Sequence, residues 1–288
     1  MNTVATAGEA KPESRYVDVE GVRIHYYDVG SGAANPLLMI HGAGPGASGW
    51  ANYSRNAAAL GERRRVLIPD LPGFGRSGKP KLEHGLYGIY ARMLFGFLDA
   101  LGIERVDGVG NSLGGGIIVK MALTQANRLG RLVLMGPAGM PSMLTPQPTI
   151  GIRNILEYYA GEGPTREKLE RTLRMMVYDQ ANLTPELLEQ RYQTSIDPEI
   201  VANWPIGKGG PPPLEAIWRE DLTAIRNETL VIWGRDDRVN TLDMFPLLLS
   251  QLQNSQLTVF SRCGHWVQWE RAKPFNALVD AFLRGDYS

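Results

Sequence analysis

The chain has 288 residues, 43% of them hydrophobic and 21% charged, which suits one large domain or two small ones with a true core. Thirty basic and thirty acidic side chains cancel, so no global field gathers a polyanion and a nucleic-acid partner is not expected. Apolar runs are short, as in Pro36–Ile40, far below the roughly 20 residues that a membrane span requires. The single cysteine, Cys263, excludes an intrachain disulfide. Residues 1–14 carry neither an apolar signal core nor an Arg-rich amphipathic pattern and read as a frayed tail, with the cytoplasm as default compartment.

In chain order, β-branched and apolar stretches predict strands at Arg15–Val19, Val22–Val29, Leu37–Ile40, Arg65–Ile68, Arg105–Val109, Leu132–Met135, Thr229–Trp233 and Leu257–Phe260. The first two follow one another so closely around Gly21 that they form a hairpin. Helix-length segments, Gly85–Leu101, Ser112–Asn127, Leu242–Gln253 and Lys273–Arg284, separate the later strands. That alternation predicts an α/β fold with an eight-stranded, mostly parallel sheet covered on both faces. The pattern breaks between Pro137 and about Leu222, where no strand is convincing. Pro164-Thr165 and Thr184-Pro185 carry helix-start chemistry there, and Gly207–Pro213 reads as a loop. The expected organisation is a core over residues 15–137 and 223–288, with a helical lid over 138–222 above the carboxyl edge of the sheet.

Gly110-Asn111-Ser112-Leu113-Gly114 fits G-x-S-x-G between a predicted strand and a predicted helix. Glycines permit the tight turn that leaves a serine exposed at the positive end of a helix dipole. Such a serine needs a base, an orienting carboxylate and donors for an oxyanion. Gly234-Arg235-Asp236-Asp237 and Cys263-Gly264-His265 each follow a strand. The chain order Ser, Asp, His resembles that of the α/β hydrolases, whose spacing of glycine, two residues and then the acid points to Asp237. Asp236 is expected to face solvent or pair with Arg235 or Arg238. Of the four histidines, His25 reads as a surface or edge residue on its strand, and His84 as a loop residue. His41 opens a glycine-rich turn and is expected to brace it. His265 remains as the base, and the N–H groups of Ala43 and Leu113 are the expected oxyanion donors.

Four separated segments resemble a narrower family, the meta-cleavage product hydrolases: His41–Asn52, Gly110–Gly116, Trp233–Arg238 and Cys263–Trp266. The likeness runs from about Tyr16 to Leu283, and Val177–Asp179 and Leu187–Arg191 of the lid match in type and order. It implies an α/β-hydrolase fold with the lid inserted after the sixth strand. It also implies hydrolysis of a carbon–carbon bond in a 2-hydroxy-6-oxo-hexa-2,4-dienoate from aromatic or steroid ring degradation, with no metal or organic cofactor and as a homo-oligomer. Arg191 would bind the substrate carboxylate, and Asn52, Asn111 and Trp266 would hydrogen-bond the dienol-carboxylate end. Ala43 stands where some members have glycine, and the GKGGPPP stretch has no clear counterpart.

By the same resemblance Ser112, deprotonated by His265 with Asp237 orienting the ring, attacks the remote ketone after the dienol has ketonised. A carboxylesterase using the same triad is the nearest alternative, and a noncatalytic small-ligand receptor on this fold is one of another class. Serine at position 112 disfavours a haloalkane dehalogenase, which requires a carboxylate there. Large apolar lid residues, Met140, Met143, Ile152, Leu156, Met175, Met176 and Trp204, favour a bulky apolar substrate tail.

Overall fold

The computed structural model describes residues 11–82, 84–208 and 214–286. The tail expected over residues 1–14 therefore lies mostly outside the described residues, as do residues 209–213 of the Gly207–Pro213 loop. The strands are β1 (Arg15–Val19), β2 (Val22–Val29), β3 (Leu37–Ile40), β4 (Val66–Pro69), β5 (Val106–Asn111), β6 (Leu129–Met135), β7 (Thr229–Gly234) and β8 (Ser255–Phe260). They form one sheet in the order β1-β2-β4-β3-β5-β6-β7-β8, in which β2 pairs antiparallel with both β1 and β4 and every other neighbouring pair is parallel. Glu20 and Gly21 both have positive φ, 50° and 79°, the geometry of a tight two-residue hairpin turn, and this joins β1 to β2.

Helices before the break are α1 (Gly49–Tyr53), α2 (Ala57–Gly61), α3 (Leu86–Ala100) and α4 (Leu113–Gln125). Between β6 and β7 lie α5 (Ile150–Glu157), α6 (Arg166–Met176), α7 (Pro185–Ser195) and α8 (Pro198–Ala202), with no strand among the described residues of that stretch. After β7 come α9 (Phe245–Gln251), α10 (Val267–Glu270) and α11 (Ala272–Arg284). The two expected helix starts carry side-chain caps, Thr165 accepting from Lys168 N–H and Thr184 from Leu187 N–H.

The central strands are apolar without alternation because the sheet is buried on both faces. Leu38 and Ile40 of β3 join one core layer, with α3 and α4, while Leu37 and Met39 join the other, with α11. Strand β6 starts at Leu129, earlier than its apolar pattern suggests. Its pairing with β5 shifts register between Val106 and Gly108, and Arg131 N–H there donates to the Asp107 carboxylate at 2.8 Å. Chain order reverses between β3 and β5, which sit side by side, so a crevice opens beyond their carboxyl ends.

Candidate active site

Ser112 stands at that crevice, between β5 and α4, with φ 54° and ψ −115°. A non-glycine residue held there is strained, and its neighbours make the turn possible. A Cβ at Gly110 would lie 2.3 Å from Gly114 O, and one at Gly114 would lie 2.1 Å from Ile40 O. The strained backbone is held from both sides, Ser112 N–H donating to Met135 O at 2.9 Å and Ser112 O accepting from Ala138 N–H at 2.9 Å. Leu113 opens α4, so its N–H has no partner within the helix. The loop after β3 passes close by: a Cβ at Gly42 would lie 3.1 Å from Ser112 Cβ. Ala43 and Leu113 both line the cavity onto which Ser112 opens.

His265 Nδ1–H donates to Asp237 Oδ2 at 2.7 Å, and both side chains are buried. That bond leaves Nε2 as the basic nitrogen of the ring. The other carboxylate oxygen of Asp237 accepts from Val239 N–H at 2.8 Å and Asn240 N–H at 3.0 Å. Asp237 thus closes its own turn as an Asx residue, which distinguishes it from Asp236 in the structure. Asp236 is half-exposed, 3.9 Å from Arg235 Nε, and accepts from Cys263 N–H at 3.3 Å.

His41 braces the glycine-rich turn as expected. Its Nδ1–H donates to Gly42 O at 2.8 Å, and its Nε2 accepts from Leu71 N–H at 3.0 Å. Burial lowers its pKa, which suits a neutral ring making this pair of bonds. His84 is exposed. His25 differs from its expected surface or edge place. It lies on β2, inside the sheet, 1% exposed, with Nδ1–H donating to Asp70 Oδ2 at 2.9 Å. The reason is that β1 covers β2 on its outer side, and Asp70, just past β4, is buried beside it. Asp70 also accepts from Gly49 N–H at 2.7 Å and so seats the start of α1, which carries Asn52.

The four expected substrate-binding residues come together. Asn111 sits beneath His265, its Nδ2–H donating to His265 O at 3.3 Å, while its Oδ1 accepts from Asn52 Nδ2–H at 3.3 Å. Arg191 of α7 donates from Nη2 to Asn52 Oδ1 at 3.3 Å and from Nη1 to Pro45 O at 3.2 Å. Its guanidinium carbon lies 4.4 Å from the centre of the Trp266 ring. Arg191 is 1% exposed and its Nε has no partner. Among the described residues no carboxylate makes an ion pair with it, and burial alone pulls its pKa down to about 9, still cationic at neutral pH. Four other lid cations are engaged elsewhere: Arg166 with Glu189, Arg174 with Glu170, Arg171 with Glu157 and Lys168 with Glu162.

Ser112, His265, Asn52, Asn111, Arg191 and Trp266 all line one cavity. Its remaining wall is apolar and drawn largely from the segment between β6 and β7. Of the apolar lid residues singled out in the sequence, Ile152, Leu156 and Met176 reach it. Met143 is 64% exposed, whereas Met140 and Trp204 are buried elsewhere, Trp204 between Phe74 and Tyr159. Met175 does not line the cavity either. Ile155 of α5, and Ile206 and Leu214 from the stretch after α8, also line it, although no sequence pattern singles them out.

A family model for the alpha/beta hydrolase fold matches residues 35–272. A 2-hydroxy-6-oxononadienedioate/2-hydroxy-6-oxononatrienedioate hydrolase of Burkholderia vietnamiensis is 41% identical over 278 residues, 94% of this chain and 96% of its own. A 2-hydroxy-6-oxo-6-phenylhexa-2,4-dienoate hydrolase of Comamonas testosteroni is 40% identical over 270 residues, 93% of each chain. Among solved structures, a meta-cleavage product hydrolase from Pseudomonas fluorescens is 34% identical with a TM-score of 0.83, covering 94% of this chain and 98% of that one.

Proposed function

The chain belongs to the α/β-hydrolase fold family and within it to the meta-cleavage product hydrolases, and from that premise we propose that it cleaves the carbon–carbon bond of 2-hydroxy-6-oxo-hexa-2,4-dienoates through Ser112, His265 and Asp237. The observation that carries this reading is the buried Arg191 guanidinium, which has no carboxylate partner among the described residues and shares a cavity with Ser112. A desolvated cation is costly unless an anion meets it. An ester substrate offers none, whereas the dienoate brings its own carboxylate.

With that carboxylate on Arg191 and the dienol oxygen beside Asn52 and Asn111, the dienol ketonises: the 2-hydroxyl gives up its proton and C5 takes one, with no net change in protons. The step is required because the carbon leaving group must depart with its electrons delocalised. Ser112 Oγ then attacks the C6 carbonyl and gives its proton to His265 Nε2, while Asp237 steadies the resulting imidazolium. The alkoxide forms where the N–H groups of Ala43 and Leu113 converge. Its collapse breaks the C5–C6 bond, and the electron pair passes through C3–C4 to the C2 carbonyl. The imidazolium returns its proton to the departing dienolate, which leaves as 2-hydroxypenta-2,4-dienoate and restores neutral His265. Water, deprotonated by His265, releases the acyl group from Ser112 as a carboxylic acid.

Residues 138–222 act as a lid on the core of residues 15–137 and 223–288 in this reading. Arg191 of α7, Met176 of α6 and Ile152 of α5 all reach the cavity that holds the nucleophile. Such cover excludes water from the acyl-enzyme until the dienoate product has left. A homo-oligomeric state and a cytoplasmic location belong to the same proposal. No helix among the described residues is long and apolar enough to cross a membrane.

Mixing the purified protein with a 2-hydroxy-6-oxo-6-substituted hexa-2,4-dienoate should discharge the visible absorbance of that chromophore and yield equal amounts of the pentadienoate and the acid. Ser112→Ala should bind the dienoate without cleaving it. Cleavage by Ser112→Ala at the wild-type rate would remove the nucleophile assignment.

A further inference from the structure

The relatives described above share nearly equal identity with this chain, yet they are named for substrates with opposite ends: a second carboxylate in one, a phenyl ring in the other. Overall similarity cannot choose between them, but the cavity wall can. From the wall opposite the reactive groups we infer that this protein is selective for dienoates with an uncharged, apolar tail beyond C6 and discriminates against dienedioates. The inference rests on the functional reading just given and specifies its substrate.

The argument follows the substrate from end to end. Its C1 carboxylate is held at Arg191, where Asn52, Asn111 and Trp266 form one connected polar cluster. Met176 belongs to this end too, since a Cβ at Gly44 would lie 3.5 Å from Arg191 Nη1 and 3.6 Å from Met176 Cε. The C6 carbonyl must reach Ser112. The tail is then left with the lining that neither end uses: Ile152, Ile155 and Leu156 of α5, Ile206 and Leu214. All five are aliphatic.

Among the described residues Arg191 is the one permanent cation that lines the cavity. Arg153, on the same helix as Ile152, is exposed, and so is Lys208. The stretch between Lys208 and Leu214 contains only glycine and proline, so its sequence supplies no cation whatever its arrangement. A carboxylate at the end of the tail would therefore leave water without a charged partner, and loss of such a partner in a buried site is strongly unfavourable. An aryl or branched alkyl tail would instead bury its surface against the aliphatic wall.

The test compares kcat/KM for 2-hydroxy-6-oxo-6-phenylhexa-2,4-dienoate and 2-hydroxy-6-oxonona-2,4-dienedioate, each followed by loss of its own absorbance. A preference for the phenyl compound on the order of a hundredfold or more is expected. Equal efficiency, or preference for the dienedioate, overturns the selectivity while leaving the dienoate hydrolase reading intact. Cleavage of neither, with turnover of a neutral aryl ester, overturns both. A second variant guards against a preference of some other origin. Ile152 lines the tail end and is half-buried, so Ile152→Arg places a cation within reach of a tail carboxylate without burying it fully. It should move the ratio of the two efficiencies toward the dienedioate by tenfold or more. An unmoved ratio would mean that the tail does not lie against α5.

Discussion

Replacing Arg191 by methionine tests the cavity's chemistry most directly, because the opposing effects of the change can be weighed from the structure. In the free protein the substitution leaves Pro45 O and Asn52 Oδ1 without their donors, at about 1 to 3 kcal/mol for each buried acceptor. It also removes a cation that is 1% exposed and unpaired, whose desolvation costs several kcal/mol. Methionine fills much of the same volume. The two effects oppose one another, so the unfolding free energy should change by less than about 3 kcal/mol. With substrate bound there is no such offset. A carboxylate that has left water loses its only cation, a change typically worth about 3 to 5 kcal/mol, or a hundredfold to several thousandfold in kcat/KM. A neutral aryl ester uses Ser112 and His265 without needing that contact and should be cleaved within about threefold of the wild-type rate. Measuring both activities on one preparation, with a thermal melt, separates the cases. A parallel fall in both activities would assign Arg191 to holding the lid in place, and undiminished dienoate cleavage would refute the carboxylate site altogether.

Two further outcomes follow from particular hydrogen bonds. Asp237→Asn should lower the steady-state rate by several thousandfold, because an amide donor facing His265 Nδ1 favours the wrong tautomer, while Asp236→Asn should stay within tenfold of wild type; similar losses in the two variants would misplace the acid by one residue. Burial pushes the Asp70 carboxyl upward, but the hydrogen bond and charge of His25 outweigh that push and hold it below its usual value. A depressed carboxyl contributes stability that is present above its unfolded pKa of about 4 and is lost as pH falls through the folded value. Asp70→Asn should therefore cost about 3 kcal/mol at neutral pH and flatten the loss of stability below about pH 4, read by urea unfolding at a series of pH values; an acid limb as steep as that of wild type would show that other carboxylates set it.

Much of this arrangement is legible in the sequence because it depends on chain neighbours. Ser112, Asp237 and His265 each follow a short apolar strand and a glycine, and a parallel sheet brings the ends of β5, β7 and β8 to one edge. The caps at Thr165 and Thr184 act over three residues and were equally plain. Helix α5 was not. The turn before it is organised by Asp243, about a hundred residues away in sequence, whose carboxylate accepts from Met143, Leu144 and Thr145 N–H and from the Ser142 and Thr145 hydroxyls. No local pattern announces a partner at that distance. Met143, exposed by that turn, is therefore not the pocket residue that its apolar character suggests.

His25 and Arg191 show why burial of a polar side chain is the harder inference, and why it is the more informative one. Each sits in an ordinary local context, Ile24-His25-Tyr26 on a strand and Gln190-Arg191-Tyr192 on a helix. Neither neighbourhood reveals that the side chain is about 1% exposed. The fold answers the two cases differently. For His25 the chain supplies the anion itself, Asp70, at 2.9 Å. For Arg191 it supplies two neutral acceptors and an aromatic face, enough to orient the guanidinium without neutralising it. A protein under selection for stability alone would exchange such a residue for an apolar one of like volume, since an unpaired buried ion works against folding. Its presence at the wall of the cavity that Ser112 lines is what the proposed function accounts for, an anion that arrives from outside the chain and leaves again with each turnover, and under that proposal this contact separates a dienoate hydrolase from an esterase built on the same three groups.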